Sequence, residues 1–332
     1  MEILALFAKA TIAPIDSVAE DWGDRVNWIY LAAALAIALG VQWRREAARG
    51  LAHALEACLP RAIYAHPSAR ADYCVWIINA LLIALALPAL LVSQQGVQAL
   101  TISALGSIAG TAGGGITAGP WARVLYTATD ILALDFGLFL AHWLQHRVPV
   151  LWEFHKTHHS AEVLTPITVF RMHPVDIWLN VSLTAALLGL NAGVFQFLYA
   201  EPPAVFSVFG FNVVMFAFLV AGYHLRHSHV WVMYPRFIAK HISSPAMHLI
   251  HHGADPKYFD KNFAQIFTFW DRIAGTLYLP QEREQIEFGL GKDSDFPSRS
   301  VLGLYLAPFH GIAERWRKLA AEERPEAASP QR

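Results

Sequence analysis

Cysteine is almost missing from this 332-residue chain: Cys58 and Cys74 are too few for a disulfide framework or a cysteine zinc ribbon. Charged residues are also scarce, at 15%, and the formal balance of −1 contains no long run of one sign, so nucleic acid is not an expected partner. The glycine-rich stretch "GSIAGTAGGGITAGP" (106–120) is not followed by Gly-Lys-Ser/Thr, which excludes a phosphate-binding loop. There is no His-Glu-x-x-His, so the helix-borne general base of one class of zinc hydrolases is missing. The Glu-x-x-His pair of carboxylate di-iron bundles is missing too.

Apolar residues and histidine fill the space. The chain is 55% hydrophobic with a mean hydropathy of +0.36, too apolar for most soluble enzymes of this length, and transmembrane segments are expected. Runs long enough to cross a bilayer as helices fall at 26–43, 74–93, 122–141, 175–200 and 204–223. Only "EPP" separates the last two, which predicts a hairpin of spans. The stretch 97–120 reads either as a tightly packed helix or as a loop on the membrane surface. Basic residues in "WRREAAR" and at Arg61 and Arg70 place the loop between the first two spans in the cytoplasm. The third span and the hairpin then end on the cytoplasmic side, where the histidine-rich segments begin.

Of 16 histidines, 14 lie between His142 and His310. His142 and His146 are four apart. His155, His158 and His159 sit at i, i+3 and i+4, and His248, His251 and His252 repeat that spacing. On a helix such positions share a face, with Cβ atoms roughly 5–6 Å apart. Neutral imidazoles converging there offer lone pairs to a cation, and imidazole is the commonest metal ligand. Two triplets and a pair supply enough ligands for two ions with open positions left. A bis-histidine haem has no use for adjacent doublets such as His158-His159. His53, His66, His241 and His310, standing singly, read as ordinary interfacial or core histidines.

The blocks "DFGLFLAHWLQHRVPVLWEFHKTHHSAEVLTP" (135–166) and "PAMHLIHHGADPKYFDKNFAQIFTFWDRIAGTLY" (245–278) resemble the fatty acid hydroxylase/sterol desaturase superfamily of integral membrane di-iron oxygenases. The likeness covers about residues 122–290. The nine-residue step from His146 to His155 is similar to alkylglycerol monooxygenases, whereas "MHPVD" (172–176) is similar to sterol C5-desaturases. The resemblance implies that His142, His146, His155, His158, His159, His248, His251 and His252 bind metal, joined by His227 at the hairpin exit. His224, one helical turn earlier, is a further candidate. His173 is read either as a ligand or, preferably, as a cap turning the chain into the fourth span. Asp135 lies two helical turns before His142, and a carboxylate inside a span needs a partner; a ligand imidazole N–H is the expected one, with a helix-packing hydrogen bond as the alternative. Asp271 is expected to pair with Arg272 or a backbone turn. Two departures stand out: Trp143 replaces an arginine common after the first box histidine, and His229 replaces an asparagine that completes the coordination shell in some relatives.

The expected fold class is all-α: a polytopic membrane bundle of roughly four to six transmembrane helices, with a cytoplasmic helical cap holding a dimetal site. The expected division is an N-terminal transmembrane region (1–121), a catalytic domain (122–290) and a C-terminal segment (291–332). In the last, "VLGLYLAPFHGIAERWRKLAAEE" is amphipathic and "RPEAASPQR" is expected to be disordered. The first 25 residues lack a basic region leading a cleavable signal, so no processing is expected. The implied activity is O2-dependent hydroxylation of a membrane lipid at two iron ions, with electrons from a separate cytoplasmic redox partner, since no flavin, haem or iron–sulfur motif is visible. Desaturation at the same centre is the alternative. A histidine-rich metal transporter is disfavoured because the imidazoles gather at span ends instead of lining a path.

Overall fold

The computed structural model describes residues 27–46, 50–85, 91–110, 116–292 and 294–322. The expectations for the N-terminal 25 residues and for the tail from 324 onward lie outside these. The described residues are mostly helical. In chain order the helices are α1 (Trp28–Glu46), α2 (Leu51–Cys58), α3 (Arg61–Tyr64), α4 (Pro67–Leu85), α5 (Gln94–Ala109), α6 (Pro120–Arg147) and α7 (Pro149–His159). They continue with α8 (Pro174–Leu198), α9 (Val213–Val220), α10 (Arg236–Ala239), α11 (Pro245–His251), α12 (Phe269–Ala274) and α13 (Val301–Glu322).

Two of these, α6 and α8, are long and apolar enough to cross a membrane. They pack against each other, and α5 packs on the C-terminal half of α8. Close approach between α5 and α8 depends on two glycines. A Cβ on Gly189 would come 2.5 Å from the Gln94 carbonyl oxygen, and one on Gly193 would come 2.6 Å from Thr101 Cβ. Of the two readings for 97–120, the structure therefore has the tightly packed helix over its first half.

Two expected spans differ. The helix of the second begins at Pro67, seven residues before the apolar run, and its first turns are anchored by charge: buried Asp72 meets Arg171 at 2.6 Å and Thr168 Oγ1 at 2.7 Å. The fifth is not a spanning helix, because residues 204–212 are extended and turned. Ser207–Val208 (β1) pairs antiparallel with Phe211–Asn212 (β2), and Phe209 and Gly210 at the turn both have positive φ. Asn212 then caps α9, its side chain accepting from Val214 N. With eight residues α9 is about 12 Å long, well short of a hydrocarbon core of about 30 Å. The return strand is instead held along α6, where Thr127 Oγ1 accepts from Phe206 N and Asn212 donates to Asp130.

Prolines punctuate the histidine-bearing segments. Pro149 disfavours helical backbone at Val148 and so ends α6, then opens α7 at its first turn, where its missing N–H is harmless. The chain folds back at this point, which carries His155 and His159 toward His142 and His146. Pro174 and Pro245 open α8 and α11 in the same way.

Candidate metal centre

Nine imidazoles converge on one buried region and divide into two groups. His142, His146, His155, His159 and His251 form the first; His158, His227, His248 and His252 form the second. Within each group the nitrogens lie within 4.8 Å of one another. Each HxxHH box is thereby split. His155 and His159, on one side of α7, join the first group while His158 joins the second; His248 and His252 join the second while His251 joins the first.

The nitrogen spacing suits a metal. In the first group His142 Nε2 is 2.9 Å from His251 Nε2, and His146 Nε2 is 3.1 Å from His159 Nε2. In the second, His227 Nε2 lies 3.2 Å from His158 Nε2, 3.0 Å from His248 Nε2 and 3.1 Å from His252 Nε2. Nitrogens bound at roughly 2.0–2.1 Å around a tetrahedral ion stand about 3.3 Å apart. His155, only 2% exposed, has no hydrogen-bond partner on either ring nitrogen among the described residues. A buried polar atom left so costs about 1–3 kcal/mol, and a metal ion would satisfy it. Burial above all, with crowding by the other imidazoles, holds His155, His159, His227, His248, His251 and His252 well below the usual histidine pKa and pushes His158 down to about 3. Rings kept neutral in this way retain the lone pairs that metal binding requires.

Backbone carbonyls aim several rings. His142 Nδ1 meets the Phe263 carbonyl at 3.0 Å, His251 Nδ1 the Lys261 carbonyl at 2.8 Å and His158 Nδ1 the Arg171 carbonyl at 3.2 Å. A carbonyl only accepts, so these rings carry their proton on Nδ1 and turn the Nε2 lone pair inward. His248 is the exception: its Nδ1 faces Arg226 Nη2 at 3.1 Å, and a guanidinium only donates.

The loop supplying two of those carbonyls is strongly held. Asp260 and Asn262 both have positive φ, a conformation that short Asx side chains tolerate, and they flank Lys261. Asp271 accepts from Phe263 N and Ala264 N, and Asp135 from Ile266 N, Phe267 N and Trp270 Nε1, at 2.8–3.0 Å. Arg226 donates to the Ala264 and Gln265 carbonyls. Asp271 thus pairs with a backbone turn, as expected. Asp135 does not meet a ligand imidazole. Its partners are the 266–270 segment, because α12 and its approach pack against α6 at that level and present three N–H groups to the carboxylate.

Three other candidates lie outside both groups. His173 is the N-cap of α8, its Nδ1 accepting from Val175 N at 3.2 Å, which fits the preferred reading as a cap. Buried His224 packs its ring against Tyr223 at 5.2 Å. His229 turns away to the Ala57 carbonyl, 2.8 Å from its Nε2, so it does not complete a coordination shell. Trp143 packs with Phe139, Phe263 and Ala264, replacing a basic contact by an apolar wall.

Sequence reasoning missed Asp176, Arg226 and Asp260. Buried Asp176 lies 3.7 Å from His155 Nδ1 and accepts from Gln145 Nε2 at 3.2 Å. Asp260 lies 3.7 Å from His146 Nδ1 and 3.2 Å from Arg147. Asp176 ends the quoted "MHPVD", so a signal was present without an assigned role. A cavity of about 1050 Å³ opens beside the first group and is lined by His146, His159 and His251, with no member of the second group on its wall.

Helices of membrane-crossing length joined to two buried imidazole groups define a histidine-rich protein able to hold two metal ions. Comparison with known proteins finds a likeness over the same part of the chain: residues 127–276 match the model of the fatty acid hydroxylase family. It is 28% identical over 175 residues to alkylglycerol monooxygenase of Homo sapiens, covering 52% of this chain and 34% of that protein. It is 30% identical over 164 residues to Delta(7)-sterol 5(6)-desaturase of Eremothecium gossypii, with 49% and 40% coverage. It is 24% identical over 171 residues to an ornithine lipid hydroxylase of Rhizobium tropici, with 51% and 47% coverage. The matches therefore span between about a third and a half of those relatives' length. No solved structure matches significantly.

Proposed function

We propose that the protein is a membrane-embedded, O2-dependent lipid hydroxylase working at two iron ions. The observation carrying this reading is the pairing of two imidazole groups in one largely buried region, with similarity to proteins that include lipid monooxygenases and hydroxylases. The first ion would be held by His142, His146, His155, His159 and His251, and the second by His158, His227 and His252, with His248 joining them on release of the Nε2 proton that its contact with Arg226 leaves on the ring. Two iron ions so bound would supply the binding and reduction of dioxygen. In balance, one C–H bond and one O2, with two electrons and two protons from outside, give one C–OH group and one water. The protein's own part is to orient the rings through the Phe263, Lys261 and Arg171 carbonyls, to exclude water by burial, and to satisfy His155 next to Asp176. The electrons come from a separate cytoplasmic redox partner. We place the catalytic domain at 122–290, after an N-terminal transmembrane region and before a C-terminal amphipathic segment, with the site on the cytoplasmic side of a multi-pass bundle.

Desaturation is the second reading, supported by the similarity to a sterol desaturase. There, two C–H bonds and one O2, again with two electrons and two protons, give a double bond and two waters. The test is lipidomics on cells with and without the intact protein, beside metal analysis of the purified chain. Hydroxylation predicts two irons per chain and a lipid heavier by one oxygen, and desaturation predicts one lighter by two hydrogens. Full iron content and full turnover in His158→Ala and His251→Ala would defeat both.

A further inference from the structure

The cavity beside the first histidine group is built by α7 and α13, which run antiparallel. Thr157 Oγ1 donates to the Leu304 carbonyl at 3.0 Å, and a Cβ at Gly311 would collide with the Glu153 side chain. The residues of α13 that line the cavity form two neighbouring rows spaced by four. Gly303, Ala307 and Gly311 make a shallow floor, and beside it run Leu302, Leu306, His310 and Glu314. The second row passes from apolar to polar over about 18 Å at 1.5 Å per residue. The antiparallel pairing puts its leucine end beside His159 and its polar end beside Glu153 and Lys156. Leu302 is 68% exposed, Leu306 45% and Phe259, also on the wall, 58%. Such a rim is costly against water and suited to contact with a lipid phase.

We propose that this cavity binds the hydrocarbon chain of a single membrane lipid lengthwise along α13, polar end toward His310 and Glu314, so that the chain passes the five-histidine group and not the four-histidine group. The proposal rests on the lipid-oxidising reading for its consequence, but the binding itself does not. The row Leu302, Leu306, His310 and Glu314, graded from apolar to polar along one wall, fits a flexible amphiphile. At about 1050 Å³ the cavity lies just above the range for ligand pockets, roughly 300–1,000 Å³. Three of the first group's imidazoles, those of His146, His159 and His251, line it together with Trp152, whose ring is 4.9 Å from that of His146 and 5.4 Å from that of His159.

The test uses nitroxide-labelled stearic acids, with the label at different depths along the chain, added to the purified full-length protein in detergent. Electron paramagnetic resonance measures the immobilised fraction in metal-free and iron-loaded samples. Leu306→Trp, which fills the cavity, is expected to weaken binding at least tenfold in both samples. Leu319→Trp, on the same helix beyond the cavity, is expected to leave it unchanged. In iron-loaded protein one label depth should relax much faster than the others. Equal binding by wild type and Leu306→Trp, or tighter Leu306-dependent binding of a spin-labelled sterol than of the stearates, would overturn the proposal. Depth-independent relaxation with two irons present would overturn its orientation. Failure to load iron while the Leu306 effect persists would count against the dimetal reading alone.

Discussion

Replacing Asp135 by asparagine separates an indirect role from contact with a ligand. The carboxylate accepts from Ile266 N at 2.8 Å, Phe267 N at 3.0 Å and Trp270 Nε1 at 3.0 Å. The amide retains one acceptor oxygen and turns an NH2 toward at least one of these three donors. Each buried donor left unpaired costs about 1–3 kcal/mol, more where its partner was charged. A loss of about 3 kcal/mol is therefore expected, equivalent to roughly a hundredfold more frequent opening of the 263–270 segment. The opening reaches the metal through Phe263, whose carbonyl orients His142 at 3.0 Å. Hydrogen exchange by mass spectrometry should show faster exchange over 263–270 in Asp135→Asn. Metal titration should show weaker binding at the first group, with the second retained. Unchanged exchange in that segment, or equal loss from both groups, would refute this account, the latter by indicating general unfolding.

Unequal group sizes predict unequal mutants: His251→Ala leaves four imidazoles in its group and should retain most of its metal, whereas His158→Ala leaves three and should drop toward one ion per chain by elemental analysis. Pro308 inside α13 removes the N–H that would bond the Leu304 carbonyl, and Thr157 supplies the donor instead. Thr157→Val should therefore cost about 1–2 kcal/mol, and less in a Pro308→Ala background, where the helix provides its own N–H; equal thermal shifts in the two backgrounds would contradict this. His173 caps α8 as a neutral ring, burial lowering its pKa from 6.5 to about 4. The unfolded chain then binds the proton first, so stability should fall as pH drops from about 6.5 to about 4 and level off below. Melting midpoints of wild type and the non-titrating cap His173→Asn should diverge over that window; parallel curves would exclude the effect.

Much of the candidate site was legible because it consists of one residue type at helical spacings. The i, i+3, i+4 histidines, their order along the chain and the absence of competing motifs point to two ions from the sequence alone. His227 was reached through resemblance alone, since a single histidine after an apolar run has no spacing to betray it. His224, three residues away, could not be separated from it by sequence: the 3-10 turn at Tyr223–His227 decides which ring reaches the group. The fifth span misled for the converse reason, since its apolar composition says nothing about the turn at Phe209-Gly210 or the cap at Asn212 that leave only eight residues helical.

By itself, then, the sequence determined which histidines recur at helical spacing, how far apart they lie on each helix, and where proline forces the chain to fold back. These are properties of local periodicity and backbone covalent geometry. The tertiary structure alone decided how nine rings divide into five and four, because that division follows from which side of α7 and α11 each ring leaves and what stands opposite. It also decided that Asp135 and Asp271 hold a loop instead of a ligand, that carbonyls of that loop and of Arg171 set the ring tautomers, and that only one of the two groups faces the cavity. Each of these depends on contacts between segments more than a hundred residues apart or on backbone groups that no residue name encodes.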